Sequence, residues 1–147
     1  MEHNLFKMAQ KYYIDTSIWR DYNENRSDRF RPLGEWAFAL FRHIKENKEL
    51  ALYSDLVLDE LKIRYSEKEV NEIFKILSDE GLLKKVDDPT KEQVKEAKKK
   101  SKELKIPFAD ALHAILARDN KSILVSRDIH FHELQKIVKI KKPEDII

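Results

Sequence analysis

Four acidic residues have the types and positions that metal-assisted chemistry requires: Asp15, Glu60, Asp110 and Asp128. Asp15 and Asp128 follow short apolar runs that predict strands, whereas Glu60 and Asp110 lie on predicted helices. Clustered carboxylates in a chain without cysteine favour a hard cation such as Mg²⁺ or Mn²⁺ over zinc. Such a cation activates water and neutralises charge in phosphodiester hydrolysis, so the chemistry needs no serine or histidine nucleophile.

Each of these carboxylates also has a purely structural interpretation. Asp15 could cap the helix that follows it, Asp128 could be an ordinary turn residue, and Glu60 could pair with Arg64 one helical turn later. Asp110 is more informative because its predicted helix carries apolar or small residues on two faces. A carboxylate on such a helix needs a cation, a helix N-terminus or an arginine to offset the cost of burial.

The segment 20–31 is a candidate contact for phosphate. It carries four arginines: Arg20, Arg26, Arg29 and Arg31. Three aromatic residues lie among or beside them and could stack on the bases of a single strand: Trp19, Tyr22 and Phe30. Arginine suits phosphate because its planar group can hold two oxygens. Alternatively, three acidic residues neutralise these arginines in a surface loop: Asp21, Glu24 and Asp28.

The elements that must position these residues follow from apolar spacing. Strands are predicted over residues 11–14, 49–53, 82–86, 122–126 and 137–140. Helices are predicted over residues 32–47, from 55 onward after a cap at Ser54, and over 67–80, 90–105 and 107–118. Strands that alternate with helices predict a mostly parallel sheet of four to five strands with helices on both faces, a three-layer α/β/α fold. Ligands of such sheets bind outside the carboxyl ends of the strands.

Composition limits the function classes further. The chain has 147 residues and a net charge of +2, which predicts one domain over residues 1–147 and no strong global attraction to polyanions. Its two glycines stand alone, which excludes a Walker loop and a dinucleotide-binding fingerprint. Residues 1–11 hold no apolar core of signal-peptide length, and no apolar run reaches the ~18 residues of a membrane span. We therefore expect a cytoplasmic protein without membrane contact.

Four segments resemble, in order and spacing, the motifs of PIN-domain nucleases. They are residues 12–18 (YYIDTSI), 54–61 (SDLVLDEL), 108–114 (FADALHA) and 125–131 (VSRDIHF). The resemblance covers essentially the whole chain. It is nearest to the short, single-domain VapC-like toxin ribonucleases of prokaryotic toxin–antitoxin pairs.

The resemblance implies a doubly wound parallel sheet, an acidic pocket that holds Mg²⁺ or Mn²⁺, and endonucleolytic cleavage of RNA to 5′-phosphate and 3′-hydroxyl ends. By their places in the motifs, four residues match the catalytic and metal-binding acidic quartet: Asp15, Glu60, Asp110 and Asp128. Ser17 matches the small polar residue that supports the first aspartate, and Arg20 and Arg29 are candidates for the RNA backbone. The implied partners are RNA, a second copy of the chain and a small antitoxin that blocks the pocket.

Other functions remain open from the sequence. The chain could be a non-catalytic PIN-like module that binds RNA or protein, or a PIN nuclease of RNA processing without an antitoxin. A phosphatase with a strand-end aspartate is less consistent, since its motif has a second Asp where Ser17 stands. His113 is expected to support or pack against the site rather than act as a general base, and His130 and His132 are expected in a loop or on the surface.

Overall fold

The computed structural model describes residues 9–147, in which five strands alternate with seven helices. The strands are β1 (Lys11–Ile14), β2 (Leu50–Tyr53), β3 (Leu83–Lys85), β4 (Ile123–Val125) and β5 (Ile140–Lys141). The helices are α1 (Thr16–Glu24), α2 (Leu33–Glu46), α3 (Asp55–Arg64), α4 (Glu67–Ser78), α5 (Lys91–Leu104), α6 (Phe108–Asp119) and α7 (Phe131–Leu134). A 3₁₀ turn, Pro143–Asp145, follows β5. Residues 1–8, which belong to the predicted domain and to the N-terminal segment judged not to be a signal peptide, lie outside the described residues.

All five strands form one parallel sheet in the order β3-β2-β1-β4-β5. The central strand β1 pairs Tyr13 with Leu52 of β2 and Ile14 with Val125 of β4. Tyr13 and Ile14 are completely buried because helices cover both faces of the sheet. The predicted parallel α/β/α architecture is confirmed.

The strand order decides where a ligand can bind. The chain moves outward from β1 to β3 and then returns past β1 to β4, so right-handed crossovers place α1–α4 on one face and α5–α7 on the other. Contacts agree with this division, since α1 packs on α2 and α3 packs on α4 in one layer, while α5 packs on α6 in the other. The crevice at the carboxyl ends of β1 and β4 is therefore the switch point at which doubly wound sheets bind ligands.

Local sequence signals account for several element boundaries. Ser54 caps α3 through a hydrogen bond that its Oγ accepts from the backbone N–H of Val57 at 3.3 Å. Ser66 and Thr90 begin α4 and α5 with capping boxes. Gly81 follows α4 with a φ of 70°, the left-handed conformation predicted for it.

Two predicted elements need correction. The polar segment after Asp15 contains α1, whose charged surface conceals a buried face made by Ile18 and Trp19. The last strand lies at Ile140–Lys141 instead of residues 137–140, because Ile137 and Val138 are buried in the turns that follow α7. None of the helices in residues 9–147 is both long and apolar enough to cross a membrane.

Candidate active site

The four acidic residues meet in one cavity at the carboxyl ends of β1 and β4. The cavity has a volume of about 340 Å³. It is lined by Asp15, Thr16, Ser17, Arg20, Glu60, Ile63, Arg64, Asp110, His113 and Asp128. The fold predicts a ligand-binding cavity at this switch point, and most of the side chains that line it are ionisable.

Asp15 lies directly after β1, where its backbone N–H donates to the carbonyl of Val125 at 3.0 Å. Ser17 Oγ donates to Asp15 Oδ2 at 2.7 Å, and Ser126 Oγ donates to the same oxygen at 3.3 Å. Asp15 is also the N-cap of α1. The interpretation of Asp15 as a helix cap is confirmed, and it is compatible with a role as a metal ligand because these hydrogen bonds engage only Oδ2.

Asp128 and Asp110 come from opposite sides of the crevice, one from the loop after β4 and the other from the first turn of α6. Asp128 is oriented by its own loop, since Ser126 Oγ accepts from its backbone N–H at 3.0 Å and its Oδ1 accepts from the backbone N–H of His130 at 2.6 Å. Each of Asp110, Asp128 and His130 offers one ligand atom, and these atoms lie within 4.8 Å of one another. His130 lies in the turn before α7, as expected, and its position beside the two aspartates also makes it a candidate ligand.

The pKa of Asp110 reflects the negative charges around it. Burial raises the pKa of its carboxyl to about 7, and the hydrogen bond and negative charge of Asp128 act in the same direction, as does the charge of Asp15. A carboxyl group that is partly buried beside other carboxylates keeps its proton to a higher pH. A divalent cation would replace that proton, so the donor set fits a metal that binds carboxylate oxygen and imidazole nitrogen.

Glu60 is tied to the site by two hydrogen bonds instead of by Arg64, its alternative partner. Its Oε1 accepts from Thr16 Oγ1 at 2.6 Å and from His113 Nε2 at 2.9 Å. Burial opposes ionisation of Glu60, but these bonds and the positive charge of His113 outweigh it and hold the pKa of the carboxyl below its usual range. Glu60 therefore stays ionised by virtue of its neighbours.

Arginines lie at the rim of the cavity, although not all the predicted ones. Arg20 lines it and pairs with Glu24 at 3.2 Å, and Arg64 lines it from the end of α3. Arg29 is exposed, lies over the ring of Phe30 and does not line the cavity. Ion pairs join Arg26 to Asp21 at 2.7 Å and Arg31 to Asp28, as the neutralised-loop interpretation expects.

Of the three aromatic residues proposed to stack on bases, two are unsuited to it. Trp19 is completely buried and stacks on Phe41 with the ring centres 4.9 Å apart. Tyr22 packs edge-on against the same Phe41 at 5.1 Å. Phe30 alone is open to solvent, at 85% exposure. The spacing of Ile18, Trp19 and Tyr22 along one helical face is the signal that would have assigned the first two to the core.

Sequence reasoning missed three residues of the site: Thr16 and Arg64, which line the cavity, and His130, which lies close to Asp110 and Asp128. Thr16 and His130 lie within two positions of Asp15 and Asp128, so proximity to a candidate ligand was their only signal. Arg64 was considered only as a partner of Glu60. All three depend on how helices and loops turn at the sheet edge, which no local pattern specifies.

Comparisons with known proteins agree with this geometry. The family model of the PIN domain matches residues 12–137. One similar structure is VapBC2 from Rickettsia felis bound to a promoter DNA fragment. It has 19% identity and a TM-score of 0.61, and the match covers 90% of this chain and 98% of that chain. PAE2754 from Pyrobaculum aerophilum has 18% identity and a TM-score of 0.56 over 95% of each chain. FitAcB from Neisseria gonorrhoeae has 18% identity and a TM-score of 0.56 over 90% of this chain and 98% of its own.

No curated protein sequence matches the chain. At 18–19% identity the three solved structures establish similarity of fold. The family model carries the assignment, because its match extends from β1 through the turns after α7 and spans all four acidic residues. The chain belongs to the PIN domain family.

Proposed function

We propose that this protein is a divalent-metal-dependent endoribonuclease, and that it serves as the toxin of a toxin–antitoxin pair. The observation that carries the nuclease proposal is the convergence of four carboxylates on one cavity, where Asp110 and Asp128 have oxygen atoms within 4.8 Å of each other. A domain that only binds RNA or protein gains nothing from such mutual repulsion. A metal-dependent nuclease requires a cluster of carboxylates in spite of that repulsion, because the cation needs anionic ligands.

Asp15, Asp110 and Asp128 would hold Mg²⁺ or Mn²⁺ together with Glu60, and His130 is a further candidate ligand. A bound cation of this class supplies Lewis-acid activation of water and of the phosphate oxygens. Ser17 and Ser126 keep Asp15 in place through the hydrogen bonds at 2.7 and 3.3 Å. His130 would favour Mn²⁺ over Mg²⁺, since imidazole suits the softer of these two ions.

Glu60 is the residue best suited to orient the attacking water. Its position is fixed by Thr16 and His113, and it stays ionised, so it can accept a hydrogen bond from the water. The water oxygen loses a proton and forms a bond to phosphorus while the bond from phosphorus to the 3′ oxygen breaks, and the 3′ oxygen takes up a proton from solvent. The products are a 5′-phosphate and a 3′-hydroxyl.

Arg20 and Arg64 would hold phosphates of the RNA on either side of the cleaved bond, since both line the cavity rim. Arg29, which does not line the cavity, is a weaker candidate for contact with the RNA backbone. RNA as substrate is supported by the resemblance of the four motifs to VapC-like ribonucleases and by the arginines at the rim.

The decisive experiment is an RNA cleavage assay with and without Mg²⁺ or Mn²⁺ on the wild type and on Asp15→Asn, Asp110→Asn and Glu60→Gln. We expect cleavage only with metal, and a loss of at least about 100-fold in each variant. Asp59→Asn is the matched control, because Asp59 precedes Glu60 on α3 but points to solvent. Cleavage that survives chelation, or equal activity in all variants, contradicts the proposal, and RNA binding without cleavage supports the binding-module alternative.

The toxin assignment rests on similarity to VapC-like proteins in the motifs and to VapBC2 in fold. We expect a short reading frame for a DNA-binding protein immediately upstream, whose product abolishes RNA cleavage when added in equimolar amounts. If that reading frame is missing and no inhibitory partner exists, the nuclease belongs instead to RNA processing.

A further inference from the structure

Three buried polar side chains form a continuous hydrogen-bonded chain beneath the acidic cavity: Ser54, Tyr13 and His113. Their exposed fractions are 2%, 0% and 4%. Tyr13 Oη lies 2.6 Å from Ser54 Oγ and 2.8 Å from His113 Nδ1, and His113 Nε2 lies 2.9 Å from Glu60 Oε1. The chain therefore connects β1, the cap of α3 and α6, and it ends on a residue of the cavity.

The chemistry of the two ends fixes the direction of its hydrogen bonds. A carboxylate only accepts, so His113 Nε2 must be protonated and donate to Glu60. In a neutral imidazole, Nδ1 accepts from the Tyr13 hydroxyl, and Ser54 donates to Tyr13. In a charged imidazole, Nδ1 donates to Tyr13, and Tyr13 donates to Ser54. The contacts are thus satisfied in either charge state of His113.

This arrangement differs from ordinary core packing in one respect. Phenylalanine in place of Tyr13 and leucine in place of His113 would fill similar volumes without burying polar atoms, which are unfavourable in a core unless each is paired. Here the Tyr13 hydroxyl and both nitrogens of His113 are hydrogen-bonded in a line that leads to Glu60, and the Ser54 hydroxyl joins this line in addition to capping α3. Both imidazole nitrogens of His113 are engaged, so neither is free to bind a substrate.

We propose that Tyr13 and Ser54 are positioning residues, which act through His113 to hold Glu60 at its place in the cavity. The proposal rests on the proposed function to the extent that Glu60 serves the bound cation and the attacking water. Residues that orient a ligand from behind contribute about 10- to 100-fold to metal affinity or activity in other metalloproteins.

The test compares Tyr13→Phe with Tyr12→Phe. Each substitution removes one phenolic oxygen from the same strand, but the Tyr12 hydroxyl contacts Glu49 at 3.3 Å and does not line the cavity. For Tyr13→Phe we expect kcat to fall and the Kd for Mn²⁺ to rise by about tenfold, with KM for RNA unchanged. Tyr12→Phe should keep wild-type values. Wild-type kcat and Mn²⁺ affinity in folded Tyr13→Phe would overturn the proposal.

A second pair of variants tests the last link of the chain, the hydrogen bond from His113 to Glu60, and is available even if Tyr13→Phe does not fold. His113→Gln keeps an N–H donor that can reach Glu60, whereas His113→Leu has none. We expect the Gln variant to retain more Mn²⁺ affinity and kcat than the Leu variant. Equal values in the two variants would show that the hydrogen bond to Glu60 has no role in the site.

A third readout is independent of metal and of RNA. In ¹⁵N-histidine NMR of the metal-free protein, Nε2 of His113 should carry the proton, and the Nδ1 resonance should shift in Tyr13→Phe. An unprotonated Nε2 contradicts the positioning chain whatever the activity. Failure of the proposed function would instead show in the wild type, which would then neither bind Mn²⁺ nor cleave RNA.

Discussion

At the scale of single residues, the chemistry of the site depends on pairs that are distant in sequence. The acidic residues themselves were predictable, because strand ends and a carboxylate on an apolar helix are local signals. Their partners were not predictable, since the bond from Thr16 to Glu60 and the approach of His130 to Asp110 exist only after the sheet edge is assembled. Sequence thus identified the candidate ligands and left the surrounding contacts to the fold.

His130 should determine which cation the site prefers. In His130→Ala we expect the affinity for Mn²⁺ to fall by about tenfold or more, while the affinity for Mg²⁺, which favours oxygen ligands, changes little. Isothermal titration calorimetry with each ion measures both values. His132→Ala is the matched control because His132 is exposed two positions further on. An equal effect on both ions would remove His130 from the set of ligands.

At the scale of elements, short polar helices are the hardest to recognise. Predicted boundaries agree closely for α2, α3, α4, α5 and α6, since caps and regular apolar spacing act together there. Helix α1 has only a narrow buried face between charged residues, and α7 has four residues. Short helices of this kind form because the rest of the molecule packs on them, and this packing overrides a weak local preference for helix.

The junction between α1 and α2 depends on Gly34. A Cβ at this position would lie 2.5 Å from the Cα of Asn25, and the backbone N–H of Gly34 donates to the carbonyl of Arg26 at 2.7 Å. Gly34→Ala should therefore lower the free energy of unfolding by roughly 3 kcal/mol, since backbone must move. Urea denaturation measures the change.

Gly81→Ala provides a contrast with a different physical cause. Gly81 has a φ of 70°, and a Cβ added to it would meet no atom within 4 Å. Only the left-handed backbone therefore opposes alanine there, at about 1–2 kcal/mol. A loss in Gly34→Ala that does not exceed that of Gly81→Ala would contradict the steric argument.

The C-terminal turn is anchored to the loop that carries Asp128. Arg127, 9% exposed, donates to both carboxylate oxygens of Glu144 at 2.6 and 3.0 Å. Burial opposes ionisation of Glu144, but Arg127 outweighs it and holds the pKa of the carboxyl below its ordinary value of 4.5. Because the folded-state pKa is lowered, the stabilisation is complete above pH 4.5 and is lost as the pH falls through the lower, folded-state value.

Glu144→Gln should consequently reduce the free energy of unfolding by roughly 1–3 kcal/mol at pH 7, and the difference from wild type should shrink below pH 4.5. Denaturation series at several pH values measure this trend. Glu72→Gln, at an exposed position of α4, should show neither effect. A difference that stays constant with pH would assign the loss to packing instead of charge.

At the scale of the whole molecule, the sheet order brings together what the sequence separates. Alternation of strands and helices predicted the parallel sheet, but the order β3-β2-β1-β4-β5 decides that β1 and β4 are neighbours. Spatial order depends on crossovers, and a single sequence does not specify them uniquely. The resemblance to PIN-domain nucleases implied a doubly wound sheet, and the structure adds the order of its strands.

The resemblance also predicts a homodimer. Light scattering on the purified protein should then give about twice the chain mass of 17.5 kDa. A monomeric mass over a wide range of concentration would contradict this prediction without affecting the cavity, whose described lining comes entirely from one chain.

The hydrogen bond from Ser126 to Asp15 joins positions that are 111 residues apart. During synthesis the chain therefore emerges from the ribosome with half of its cavity long before the other half exists. A partial chain that ends before β4 cannot form the cavity, since it lacks Asp128 and the strand that pairs with β1. Under the proposed function, a cell would therefore meet an active nuclease only after β4 and Asp128 of each molecule have been made, and an inhibitor synthesised beforehand would find the finished site.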